Sequence, residues 1–429
     1  MAMCKPTDAI LADILEVVES GSRPKGGVTT AGDIPSLGGE NVTMDGRLTF
    51  RELKRIPRSF FQVMPRGHLD KDDVLINKDG AQTGKVSIYD GQFAEACINE
   101  HLFLLRANRQ LMDQRFLFYA LLWEHSQIQI ARIRTGSAQA GINTRFPECV
   151  TVPVPPIEEQ SKITELLTLI DREIEASEAM LYKLIDLNRG LTHALFSCGF
   201  TETGVLRDPK TSPDDFVTSP IGLLPASWKL RPFEEIVDTT APICYGIVQP
   251  GPYVADGIPV VTIGDLHGDY GTRLHRTAKA IDANYARSRI TAGDVLLSIK
   301  GTIGRVDVVP EHFSGNISRD LARIRTGRGI SAQYVRYMID SPHSQVRLRA
   351  AVVGTTRPEL SINVLKRILV PLPPSDEQKR VAEIAALQRS RLQSEASILE
   401  KLRVIKKGLM QDLLTGRVRV NAEAWAKEK

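Results

Sequence analysis

The sequence predicts an α+β chain of two similar globular domains and two long antiparallel helices paired as a coiled coil, an internal pseudo-twofold repeat. Three observations predict it: self-similarity at an offset of 218 residues, apolar runs of strand length, and two heptad seams. At 429 residues and 42% hydrophobic, the chain can bury more than one core.

The repeat organises everything else. Val152-Pro153-Val154-Pro155-Pro156-Ile157-Glu158-Glu159-Gln160 recurs as Val370-Pro371-Leu372-Pro373-Pro374-Ser375-Asp376-Glu377-Gln378. Gly190-Leu191 recurs as Gly408-Leu409, Tyr119 as Tyr337, Gln127 as Gln345 and Gly136 as Gly354. Further upstream the offset drifts while the order holds. Asp73–Ile76 pairs with Asp294–Leu297, Gly84-Lys85-Val86 with Gly304-Arg305-Val306, and Ile34-Pro35 with Ile258-Pro259. Loop insertions between two copies of one fold produce that drift. The predicted boundaries are a first globular domain over 1–150, a helical spacer over 151–200, a second globular domain over 201–369, a second spacer over 370–418 and a tail over 419–429.

Each globular copy holds short apolar segments bounded by Gly, Pro and Asp. Asp73–Asn77, Val86–Tyr89 and His101–Leu105 have partners in Asp294–Ile299, Arg305–Val309 and Asp320–Ile324. These are strand lengths with turn residues at their ends. A single helix is expected near Asp113–Ile133 and another near Ala332–Val352.

After each proline cluster the period changes. Ile163, Leu167, Ile170, Ile174, Ser177, Leu181, Leu184, Asn188, Leu191 and Leu195 alternate spacings of four and three. The counterpart seam reads Val381, Ala385, Gln388, Leu392, Glu395, Leu399, Leu402, Lys406, Leu409 and Leu413. Proline suits the first turn of a helix, and the acids that follow sit at the positive end of its dipole. About 35 residues per helix implies roughly 50 Å of length. A small domain cannot cover so long a stripe, so the helices are expected to pair with each other. A coiled coil with another chain is the alternative.

Composition narrows the functional classes. No run approaches a membrane span, and Met1–Lys5 lacks the pattern of a signal peptide. The five cysteines are scattered and never form a CxxC pair, which suits a reducing cytoplasm and argues against a structural zinc. Basic and acidic residues balance over 1–150, whereas 215–369 and 370–429 each carry a basic excess. A polyanionic partner is compatible with that excess.

Catalytic patterns are missing. Gly80-Ala81-Gln82-Thr83-Gly84-Lys85-Val86 is one residue short of a phosphate-binding loop and places Val86 where a hydroxyl should ligate magnesium. Its repeat, Gly301-Thr302-Ile303-Gly304-Arg305, is shorter still. The eight histidines form no HExxH pair or Cys/His cluster, so no metal site is expected. No GxSxG elbow or aromatic base pocket appears. Paired acids such as Asp72/Asp73 read as turn and cap residues.

Two loops in each copy instead carry groups suited to phosphates and base edges. The glycine-rich turns supply Lys78, Gln82 and Lys85 in one copy and Lys300, Thr302 and Arg305 in the other. A plain hairpin is the alternative, but both copies place a cation after the second glycine. Ahead of each proline cluster, Ser137 and Gln139, then Thr355 and Arg357, lie beyond a glycine that could cap a helix.

A domain ending in a Gly-Ser/Thr loop, then V-P-x-P-P-x-[DE]-E-Q and a heptad helix, all of it twice, resembles the specificity subunit of type I restriction–modification systems. The resemblance covers nearly the whole chain. It implies two target recognition domains, each reading one half of a split, asymmetric site on double-stranded DNA. It implies helices that set the gap between half-sites and dock two modification (methyltransferase) subunits, with restriction (translocase/nuclease) subunits as further partners. No catalysis and no cofactor is implied in this chain; S-adenosylmethionine, ATP and magnesium would belong to the partners. With no net positive charge on 1–150, its cations (Arg51, Lys54, Arg55, Arg58, Lys78, Lys85) are expected on one face. A coiled-coil scaffold with two protein-binding domains is the alternative reading. A fused methyltransferase–nuclease fails for want of motifs.

Overall fold

The computed structural model describes residues 7–25, 27, 30, 32–134, 141–268, 270–271, 273–352, 354 and 358–420. The chain divides into two compact units, Met1–Glu178 with Ile398–Lys429, and Ala179–Ser397. Each unit therefore owns one globular domain and half of each long helix.

In the first unit a four-stranded antiparallel sheet runs in the order Leu15–Ser20, Leu102–Ala107, Val74–Asn77, Val86–Ile88. A three-stranded sheet orders Lys54–Ile56, Ile34–Leu37 and Cys97–Ile98, the last pair parallel. Thr7–Ile10 pairs with Thr151–Val154. The second unit repeats each of these strands and adds a hairpin, Phe216–Ser219 with Gly222–Pro225. Its four-stranded sheet is Cys244–Tyr245, Leu321–Ile324, Val295–Ser298, Val306–Val308, and its three-stranded sheet is His275–Thr277, Ile258–Val261, Asn316–Ile317. Here too one pair of the smaller sheet is parallel, and Lys229–Pro232 joins Leu369–Leu372.

The apolar runs are continuous because the larger sheet is covered on both faces. Alternate residues face opposite sides of a strand. Val74, Ile76, Phe103 and Leu105 enter a core with Phe116 and Leu117, while Leu75, Leu102 and Leu104 pack on Leu37 and Ile98. The second unit divides Val295 and Leu297 from Leu296 and Leu321 in the same way. Backbones approach closely after the first strand of each sheet. A Cβ on Gly21 or Gly246 would stand 1.8 Å from the carbonyl oxygen of Ile98 or Ile317.

The expected single helices are each two. Gln114–Leu122 and Glu124–Arg132 are separated by Trp123, and Ala332–Asp340 and Pro342–Ala350 by Ser341. Both break residues are extended, with ψ of 140° and 145°. Pro342 explains the second break, since a residue before proline avoids the helical region. The first copy breaks at the same repeat position without a proline.

The long helices span Ile157–Ser197 and Ser375–Leu414, 41 and 40 residues. Each is therefore closer to ~60 Å than to 50 Å. In the first unit Ile163 and Leu167 share a core with Met410, Leu413 and Leu414; in the second, Leu195 and Phe196 share one with Val381, Ala382 and Ala385. The start of one helix thus packs on the end of the other in both units, so they run antiparallel. Ile174 and Leu399 are also buried, and Ile170, Leu181, Leu184, Leu191, Leu392, Leu402 and Leu409 are half-buried.

The Glu-Gln pair of each proline motif acts as a clamp. Gln160 accepts from the Asp113 backbone N–H at 2.8 Å and donates to the Pro155 carbonyl at 2.8 Å. Gln378 does the same with Ser331 (2.9 Å) and Pro373 (2.9 Å). Each glutamine fixes the start of a long helix to the cap of a domain helix. The preceding glutamate holds the chain that leaves the other long helix: Glu159 accepts from Arg419 (2.7 Å), and Glu377 from Arg207 (2.8 Å) and the Phe200 N–H (2.6 Å). Gln378→Ala strands buried partners at both ends of its amide. It is expected to destabilise the second unit by about 2–4 kcal/mol in denaturant titration.

Candidate nucleic-acid interface

In both units two chain segments meet at one end of the four-stranded sheet. The first is the connection between its last two strands. In the first unit it holds a 3-10 turn, Gly80–Gln82, and closes through Asn77 N–H to the Lys85 carbonyl (2.8 Å) and Gly84 N–H to the Asn77 carbonyl (2.7 Å). The second segment is the chain returning from the domain helices. Asp79 bridges Gly141, and the Ile142 N–H donates to the Lys78 carbonyl at 2.7 Å. The second unit reproduces the contact, Lys300 bridging Glu359 and the Leu360 N–H donating to the Ile299 carbonyl at 2.8 Å. The residues that follow the second loop, Gly141 and Glu359, thereby meet the glycine-rich turn in each unit.

Their side chains differ on this shared backbone. Gln82 and Thr302 are exposed, and Lys85 and Arg305 are half-buried. Lys78 donates to the Ser20 hydroxyl at 3.1 Å and lies 5.4 Å from the Phe103 ring centre. Lys300 pairs with Glu359 at 3.1 Å, and Arg305 reaches the Leu266 carbonyl at 3.2 Å. Asp79 contacts the ring of His101 at 2.8 Å, where the second unit has the Lys300–Glu359 pair instead. Sequence reading missed Asp79, His101 and Glu359, which carry no motif and become neighbours only through the sheet. Ser137, Gln139, Thr355 and Arg357 lie outside the described residues.

The cations expected on one face of the first domain fall at or beside two sheets. Lys54 pairs with Glu40 (2.6 Å), Arg55 donates to the Asp33 carbonyl (3.0 Å) and Arg58 pairs with Glu95 (2.5 Å), all at or beside the edge strand of the smaller sheet. Lys78 and Lys85 belong to the turn of the larger one. Acidic neighbours already neutralise much of the first group.

Polar ties set each domain on its helices. In the first unit Arg47 and Arg403 both bond Glu178, at 2.5 and 2.8 Å. The Arg47 bond is the main reason the Glu178 carboxyl sits below its ordinary range. Tyr119 donates to Asp171 at 2.8 Å, and Lys406 pairs with the same carboxylate at 2.6 Å. Burial, then the Asp171 charge, push the Tyr119 phenol far up. The second unit reverses the sign: Arg389, at the repeat position of Asp171, donates to Asp340 at 2.8 Å.

Each long helix also carries an outer apolar stripe. Leu169, Met180 and Leu187 recur 218 residues later as Leu387, Ile398 and Ile405, all between 46% and 70% exposed. Spacings of eleven and seven residues are close to whole helical turns, so each trio shares a face. No helix among the described residues is long and apolar enough to cross a membrane, and no group of three potential metal ligands occurs among them.

Comparison with known proteins falls on the same repeat. Residues 10–183 and 250–402 match the type I restriction modification DNA specificity domain. The EcoBI type I restriction enzyme specificity subunit of Escherichia coli is 26% identical over 74% of this chain and 67% of its own length. The MjaVIII specificity subunit of Methanocaldococcus jannaschii is 24% identical over 82% of this chain and 80% of its own. Among solved structures, the S subunit of a type I restriction-modification system from M. genitalium aligns with a TM-score of 0.60 at 16% identity, covering 96% of both chains. A chain from a study of complex assembly and conformational transition of the type I R-M system aligns at 0.52, also 16% identical, over 96% of this chain and 98% of that one. With two domain matches that coincide with the two copies of its fold, the chain belongs to the type I restriction–modification DNA specificity family.

Proposed function

We propose that this chain is the non-catalytic subunit that confers sequence specificity on a type I complex. Each globular domain reads one half of a bipartite, asymmetric DNA site. The helices fix the spacing of the halves and dock two methyltransferase subunits through the outer stripe. Restriction subunits complete the assembly in the cytoplasm, and S-adenosylmethionine, ATP and magnesium are used by the partners. The observation that carries this reading is a contact at the end of the larger sheet, made by matching backbone groups in both units and flanked by different side chains. A reader of two unlike half-sites needs that combination: one frame, two sets of exposed groups.

Assay of the purified chain should give no methyl transfer, and addition of a modification subunit should give sequence-specific adenine methylation. Phosphate contacts by Lys85 and Arg305 predict DNA affinity that falls steeply with salt. Lys85→Glu and Arg305→Glu are each expected to weaken binding by about tenfold at fixed ionic strength and to flatten the salt slope. An affinity indifferent to salt would instead favour a protein-binding scaffold.

A further inference from the structure

The second unit holds a polar cleft of about 400 Å³ between its globular domain and the second long helix. Its working lining is His267, Tyr270, Asp307, Arg336, Tyr337 and Arg389. Arg336 is only 9% exposed, yet its guanidinium has no hydrogen bond among the described residues, and its Nε is buried without a partner. The nearest carboxylate, Asp307, stands 3.7 Å from Nε and is already engaged by the N–H groups of His267 (2.7 Å) and Val308 (2.9 Å) and the Tyr270 hydroxyl (3.3 Å). The guanidinium instead lies 4.4 Å from the Tyr337 ring centre. Arg389 uses one nitrogen on Asp340 and brings another to 3.5 Å from the His267 ring. Ser390 and Gln393 add neutral polar groups from the long helix.

A buried Nε donor that no acceptor meets is costly, and a 3.7 Å ion pair with Asp307 offsets that cost only in part. The fold does not impose this cost. At the matching positions of the first unit stand Phe118 for Arg336 and Asp171 for Arg389, and the Tyr119 hydroxyl closes onto Asp171 and Thr168. The cations of the second unit are therefore particular to this cleft. Forked donors from a domain helix and a long helix, with an imidazole beside them, match a compact oxyanion with several acceptor oxygens.

We propose that this cleft binds a phosphate group, either free inorganic phosphate or the phosphate end of a small nucleotide. The bound anion accepts from Arg336 and Arg389 and ties the second globular domain to the long helix within its unit. The cleft adjoins the glycine-rich turn, since Arg305 reaches the carbonyl of Leu266 beside His267, so its binding is measured without DNA.

Isothermal titration of the full chain with inorganic phosphate and with ATP, in chloride buffer without DNA, tests this. The expected result is one saturable site with a Kd of about 1 mM or tighter. Arg336→Gln should weaken it by at least tenfold, and phosphate should raise the melting temperature of the unmodified chain. ATP displacing phosphate identifies a nucleotide; phosphate binding without competition identifies the free anion; either supports the site. If Arg336→Gln does not fold, Arg389→Gln at the cleft mouth replaces it, with the same expected loss. Absence of binding by the unmodified chain at about 10 mM of either ligand overturns the proposal. So does binding that survives unchanged in the folded variants.

Discussion

A chain carrying Leu187→Asp and Ile405→Asp should fold normally and fail to support methylation. Both side chains are large, apolar and substantially exposed, and they occupy the same repeat position on the two helices. An exposed leucine or isoleucine contributes little to the free fold, so the melting curve should stay within about 0.5 kcal/mol of the original. In an assembly that covers the stripe, each residue loses roughly 1.5–3 kcal/mol of apolar transfer. Each aspartate adds the penalty of an unpaired buried charge. Two sites together should weaken association at least ~1,000-fold. Co-purification with a modification subunit measures it, and DNA binding by the chain alone serves as the control.

Exchanging residues 1–150 for the matching domain of a relative should rewrite one half of the methylated sequence and leave the other half and the gap unchanged. The exchange carries the Gly80–Gln82 turn and Asp79 of the first domain, while Gln160 remains to clamp the newcomer and Glu159 keeps its hold on Arg419. Each altered base preference is worth about 1–3 kcal/mol, so the site switches rather than blurs. Change in both halves would show that the domains do not read independently.

The scaffold was legible because it is made of local signals. Proline-to-acid entrances marked Ile157 and Ser375 as helix starts, and the four-three spacing picked out the buried side of each helix. Strands such as Val74–Asn77 showed as apolar runs because both faces of their sheet are covered. The break at Trp123 was not legible: only the second copy writes it as a proline. The acids of each motif read as dipole partners, whereas the clamp made by Gln160 and Gln378 depends on Asp113 and Ser331, 47 residues away. The glycine-rich turns with their cations were legible, but not the contacts of Asp79 with Gly141 and of Lys300 with Glu359. Arg336 gave no signal at all, since only the packing leaves its Nε buried without an acceptor.

On the proposed function, two unlike readers on one duplicated frame confer a split DNA specificity on partner enzymes. Mapping methylated adenines across a host genome, with and without this chain in the presence of its modification subunit, tests it most directly. Methylation is expected only when the chain is present, at one asymmetric motif of two short halves with a fixed gap. Methylation that persists without the chain, or falls on a single uninterrupted or palindromic motif, would contradict it.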